Sequence, residues 1–173
     1  AAARYDWAKA AVYLARAEAG SLGPDDRALV CLVHRKNGEW AESLELSKAW
    51  YRENPGVEAA AEAYARALVG SRQDRAAQDL IARLLSGKAS SAFRSTLYYL
   101  ESLLEKGEEA SLVRLRSALV ENADNGEALT AMFDIYYGRK DFQKARFYLK
   151  QALALSPADP ELLRRERELQ AAS

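Results

Sequence analysis

A repeat spacing of 34 residues constrains this chain more than any other feature of its sequence. When the sequence is shifted against itself by 34, one column contains only small residues: Ala145, Ser111, Ala77 and Ser43. Two further columns are mainly apolar, and their members are Leu149, Leu115, Ile81 and Ser47, then Leu153, Leu119, Leu85 and Tyr51. Columns that persist over four periods predict stacked units, because one short unit cannot bury its apolar face alone.

Each period contains two stretches with the apolar spacing of an amphipathic helix. In the last period, residues at intervals of three and four form one apolar stripe, namely Leu129, Met132, Phe133 and Tyr136. Asp141 is the predicted N-cap of the next helix, and the Ser156-Pro157 pair ends it. No segment alternates apolar and polar residues with period two. The sequence predicts ten helices, at about residues 5–18, 25–37, 39–53, 57–70, 73–86, 90–105, 108–121, 126–138, 141–155 and 159–171.

Composition narrows the class of protein and of partner. Hydrophobic residues make up 49% of the 173-residue chain, which indicates a folded protein rather than a disordered one. The 25 basic and 25 acidic side chains give a net charge of zero, so we expect no nucleic acid partner. No apolar run approaches the roughly 18 residues of a membrane span, so none is expected in this chain. A single cysteine excludes a disulfide within the chain.

Cys31 and His34 are the side chains best suited to catalysis, and they lie one helical turn apart. They are the chain's lone cysteine and lone histidine, too few for the about four ligands of a zinc site. The 34-residue columns align Cys31 with Phe133 and His34 with Tyr136, which are predicted core positions. We therefore predict a structural role for the pair and expect neither enzymatic activity nor a cofactor or metal. Catalysis by this pair is the third alternative, and solvent exposure of the two side chains would favour it.

The period, the helix–turn–helix unit and the closing proline resemble the tetratricopeptide repeat (TPR) family. The match is clearest over 126–159, where Tyr136, Ala145, Ala152 and Pro157 occupy family positions. The resemblance implies an all-α fold, a right-handed helical-repeat solenoid of antiparallel helix pairs. The whole chain, 1–173, is then a single array. Its parts are a lone second helix at 5–18, a repeat at 24–57, degenerate repeats at 58–91 and 92–125, a repeat at 126–157 and a capping helix at 159–171.

The resemblance also implies a binding surface. In this family the first helices of successive repeats line a concave groove that holds a peptide or a partner's helix. Projection of that rule onto this chain gives Asp25, Leu32, Arg35, Glu62, Arg66, Glu101, Glu127, Thr130, Asp134 and Tyr137. The expected function is therefore a non-enzymatic scaffold that binds a protein or peptide. A receptor for acidic C-terminal tails is disfavoured, because Arg35 and Arg66 are the groove's few cations.

An alternative function is that of a structural spacer in a larger protein. Alanine-rich helices and an excess of Arg over Lys are typical of bacteria with GC-rich genomes. Bacterial arrays of this kind often belong to envelope, secretion or polysaccharide-export machinery, which favours the periplasm or cell envelope over the cytoplasm. Residues 5–18, which include Trp7 and Tyr13, resemble a second helix without its first-helix partner. We expect this apolar face to continue into further repeats or to self-associate.

Overall fold

The computed structural model describes residues 23–172, and all regular structure in that range is α-helical. The helices are α1 Pro24–Lys36, α2 Trp40–Glu53, α3 Glu58–Gly70, α4 Asp74–Ser86, α5 Ser91–Ser102, α6 Glu108–Glu121, α7 Gly126–Gly138, α8 Phe142–Leu155 and α9 Pro160–Ala172. The predicted helix at 5–18 lies outside the described residues. Within them, the predicted bounds agree to a few residues, and the largest departure is α5, which ends at Ser102 rather than at 105.

The chain forms two compact units that divide between Ala89 and Ser90. In the described part of the chain, unit 1 comprises α1–α4 and unit 2 comprises α5–α9. Consecutive helices pack against each other within each unit, and α1 also contacts α3. Contact between alternate helices is what a stack of two-helix repeats requires, because first helices must meet to bury a common core. A single array from 1 to 173 stays a prediction.

The turns inside the repeats share one backbone conformation. Gly38, Arg72 and Lys140 have positive φ angles of 78°, 58° and 59°, and each joins the two helices of a repeat. These residues lie 34 and 68 positions apart, so the left-handed turn follows the sequence period. The third repeat departs from this rule. There α5 ends early and Gly107, with φ −138°, is the N-cap of α6, as the sequence position of this glycine predicts.

The repeat columns form the core of the units. Leu149, Leu115, Ile81 and Ser47 are all at most 2% exposed. In the small column, the Ser43 hydroxyl donates to the Cys31 carbonyl at 3.2 Å, and the Ser111 hydroxyl donates to the Ser102 carbonyl at 3.0 Å. Small side chains at these positions let the second helix of a repeat touch the backbone of the first. The predicted packing role of Trp50 is confirmed, since it is 3% exposed.

Candidate functional site

A groove with a volume of about 720 Å³ opens on unit 2. Three alternate helices, α5, α7 and α9, supply most of its lining, and residues at the C-terminal ends of α6 and α8 complete it. Alternate helices are the first helices of successive repeats. Helix α9 occupies such a position because Pro160 follows Gly126 by 34 residues. The groove therefore lies on the type of surface that the sequence predicts for partner binding.

The lining combines an apolar floor with an acidic rim. The apolar and aromatic lining residues are Ala92, Tyr99, Leu103, Ala131, Ala152 and Leu162. The charged lining residues are Glu127, Asp134, Asp159, Glu161 and Arg165. Thr96, Thr130, Asn122, Asn125 and Ser156 add short polar side chains. Such a mixture is typical of protein-binding surfaces, which pair an apolar centre with a polar periphery.

A buried polar network fixes the helices on either side of the groove. The Asn125 amide nitrogen donates to the Ser95 hydroxyl at 2.8 Å, and that hydroxyl donates to the Ala118 carbonyl at 2.7 Å. The Asn125 side-chain oxygen accepts from the Ala128 amide at 3.0 Å and so caps α7. These groups join α5, α6 and α7, and a satisfied buried network of this kind favours one relative placement of the helices. The groove is thus preorganised.

A second set of contacts joins α7 to α9. Arg165 donates to the Asp134 carboxylate at 3.1 Å and lies 3.8 Å from Glu161. Its guanidinium also lies over the Phe133 ring, 6.0 Å from the centroid. Burial raises the pKa of Asp134, the charge of Arg165 opposes that rise, and the charge of Glu161 adds to it. Asp134 is thus a carboxylate held in the groove at an electrostatic cost.

The structure brings three predicted site residues together and separates two others from them. Glu127, Thr130 and Asp134 line the groove. Tyr137 is half-buried and stacks on Phe133 and Phe142, at centroid distances of 5.5 and 5.9 Å, so it belongs to the packing of unit 2.

Glu101 faces α6 rather than the groove. Its Oε2 atom is buried 3.3 Å from Arg114 Nε, without the alignment of a hydrogen bond. Burial raises the pKa of this carboxyl, and Arg114 opposes the rise. Helix α5 instead presents Thr96, Tyr99 and Leu103 to the groove. The projection from the family pattern is therefore misplaced on this helix, because α5 is rotated relative to the helix that was used for comparison.

The predicted site residues of unit 1 lie on α1 and α3. Arg66 binds Glu62 of the same helix at 2.8 Å, and both side chains are half-buried. Leu32 and Arg35 are half-buried on α1. The side chain of Asp25 lies outside the described residues. A role for these residues in partner binding stays a prediction.

Sequence reasoning missed the contribution of α9 to the groove. Asp159, Glu161 and Arg165 line it, although this helix is predicted only as a solvating cap. The signal was the repeat period, because one more step of 34 residues places Glu161 in the column of Glu127. The same step, taken backwards from Thr130, gives Thr96. Extending the period by one unit in each direction would have found both walls.

The Cys31–His34 pair has the surroundings of packing residues. Cys31 is 2% exposed, and burial raises the pKa of its thiol. Its core position, predicted from the repeat columns, is confirmed. His34 is only half-buried, and its Nδ1 atom lies 2.6 Å from a carboxylate oxygen of Glu39, at the start of α2. A buried thiol with a raised pKa is a poor nucleophile at neutral pH, so the geometry does not favour catalysis.

Solved structures with the same fold define the class of architecture. The chain is similar to the structure titled MamA 41-end from Desulfovibrio magneticus RS-1, with 14% identity and a TM-score of 0.56 over 91% of this chain and 89% of that one. It is also similar to a MamA mutant, with 15% identity and a TM-score of 0.50 over 87% and 88% of the two chains. The predicted fold class is thereby confirmed: this is an all-α, TPR-like helical-repeat fold.

At such identities the likeness extends to the fold alone. No protein-family model and no curated protein sequence matches the chain. None of the helices in residues 23–172 combines the length and the apolar character that a bilayer crossing needs.

Proposed function

We propose that this chain is a non-enzymatic interaction scaffold whose unit 2 groove holds a peptide or helical segment of a protein partner. The observation that carries the proposal is the groove itself, formed by α5, α7 and α9. Its volume of about 720 Å³ falls within the roughly 300–1,000 Å³ typical of ligand-binding clefts. The TPR-like fold supports the proposal by analogy, because the first helices of such repeats commonly serve as partner-binding surfaces.

The shape and lining of the groove favour a segment of a protein over a small molecule. Glu127, Asp134 and Glu161 are exposed, so the groove is open along its rim and does not enclose its occupant. Its apolar floor is continuous with the core through Leu162 and Ala152, which are 6% and 2% exposed. An open cleft with an apolar floor suits an amphipathic helix or an extended peptide laid along it.

Site-directed photo-crosslinking tests this function. A benzophenone amino acid at Thr130 places the reactive group in the groove, and the same amino acid at Val120 is the matched control. Val120 is 86% exposed on α6 and does not line the groove. In extract of the source organism, we expect a discrete protein adduct from the Thr130 variant and none from the Val120 variant. Equal adducts from both positions would contradict groove binding, and no adduct from either would favour the spacer alternative.

A further inference from the structure

We infer that the partner segment in the unit 2 groove carries an excess of Lys or Arg side chains. This inference rests on the proposed function and specifies the chemistry of its ligand. The groove is lined by four carboxylates, those of Glu127, Asp134, Asp159 and Glu161, and by one guanidinium, that of Arg165. The formal charge of the lining is therefore −3, whereas the whole chain has a net charge of zero. The acidic excess is thus a local property of the groove.

The groove's own cation is already engaged. Arg165 has a side chain only 20% exposed, and it contacts Asp134 at 3.1 Å and Glu161 at 3.8 Å. Its charge is compensated inside the lining, so an acidic ligand would have to displace one of these carboxylates. A basic ligand meets no such barrier, since like charges placed together disfavour the wrong partner and opposite charges favour the right one.

The carboxylates differ in how far their charge is satisfied. Glu161 also binds Arg164, outside the groove, and Asp159 accepts from the backbone amides of Glu161 and Leu162 at the start of α9. Asp134 is different, because burial raises its pKa in spite of Arg165. A group whose folded pKa is raised destabilises the fold once it ionises, so at neutral pH this carboxylate lowers stability. A ligand cation beside it would offset that loss.

The apolar floor fits the same kind of ligand. Ala131, Ala152 and Leu162 lie between the acidic residues of α7 and α9, and Leu103, which is 50% exposed, adds apolar surface on α5. Lys and Arg bury the aliphatic part of their side chains while the charged group stays near water. An apolar floor beneath carboxylates suits both parts of these side chains. The expected occupant is a basic amphipathic segment.

Selection from a random library of displayed 12-residue peptides tests the inference and does not require the partner to be identified first. The intact chain is the bait, and a parallel selection on a Thr130→Trp variant, whose indole fills the groove, removes peptides that bind elsewhere. Thr96→Trp replaces that variant if it loses helicity. We expect the peptides that depend on an open groove to be enriched in Lys and Arg over the input library.

The outcomes separate the inference from the proposed function. Groove-dependent peptides with neutral or acidic composition would overturn the inference and leave the groove function standing. If no peptide depends on the open groove, both fail.

Charge neutralisation then tests the mechanism on a selected basic peptide, by fluorescence anisotropy. The Glu127→Gln/Asp134→Asn double variant should raise the Kd about fivefold or more, because each exposed ion pair contributes roughly a two- to fivefold effect. The matched control is Glu108→Gln/Glu109→Gln, which changes the net charge equally in residues that pair with Arg139 outside the groove. That control should change the Kd less than twofold. Equal effects of the two double variants would refute a specific acidic groove, since they would indicate attraction to overall charge.

Discussion

Replacement of Gly70 by alanine should destabilise unit 1, although alanine is the better helix former. Gly70 is the last residue of α3, and the Trp40 indole at the start of α2 packs directly against it. A Cβ atom at residue 70 would lie 2.0, 2.2 and 2.6 Å from three ring carbons of Trp40. Carbon atoms attract each other only at about 3.5–4.0 Å, so the ring has to move by roughly 1.5 Å. The φ angle of Gly70 is not positive, so backbone strain does not contribute.

The size of the effect follows from two opposing terms. Alanine gains about 0.5–1 kcal/mol over glycine in a helix. Overpacking costs about 1–3 kcal/mol where the structure absorbs the extra methyl. If the ring leaves its site instead, the loss is set by its buried area, because Trp40 is only 37% exposed. About 130 Å² at 25 cal/mol per Å² gives ~3 kcal/mol. The expected net loss of unfolding free energy is about 2 kcal/mol.

Urea unfolding followed by circular dichroism measures this loss. Gly138→Ala is the matched control, because Gly138 is the last residue of α7, lies 68 positions after Gly70 and has no atom within 4 Å of its added Cβ. It should be neutral or stabilising. In a Trp40→Ala background, Gly70→Ala should lose its cost, since the clash is gone. If Gly70→Ala is as stable as Gly138→Ala, or equally harmful without the indole, the steric reasoning is wrong.

Two further predictions concern buried polar and sulfur groups. The Cys31 thiol should react with a maleimide much more slowly in the folded protein than in urea, because it is 2% exposed and burial raises its pKa; rapid labelling of the folded protein would contradict this. Ser95→Ala should lower the free energy of unfolding by about 2 kcal/mol, because it removes the partner of both Asn125 and the Ala118 carbonyl; the exposed Ser117, whose hydroxyl bonds within its own helix, is the control and should cost less than about 0.5 kcal/mol.

The fold was largely predictable because the repeat period is a local property repeated many times. Each of the positions occupied by Leu149, Leu115 and Ile81 is buried, as their shared column indicates. The N-caps predicted at Asp141 and Asp159 are confirmed by hydrogen bonds to backbone amides within three residues of each. Such features depend on the spacing of residues along one helix or turn, which the sequence displays directly.

The candidate site was predictable only in part. Glu127, Thr130 and Asp134 line the groove as the family pattern implies, because α7 belongs to the repeat that matches this pattern best. Glu101 does not, since α5 belongs to a degenerate repeat with a longer turn, and its rotation changes which residues face the groove. A helix turns about 100° per residue, so an error of one position in register is enough to move a side chain out of the groove.

What the sequence determined by itself is the order of the helices, their buried faces and the repeat that relates them, because these depend on local periodicity. The tertiary structure decided which side chains meet across helices. Asp134 and Arg165 are 31 residues apart, Ser95 and Asn125 are 30 apart, and Trp40 and Gly70 are also 30 apart. Each contact depends on the rotation and distance of one helix against another. Those quantities are set by the packing of all the side chains between the helices, and no single stretch of sequence contains them.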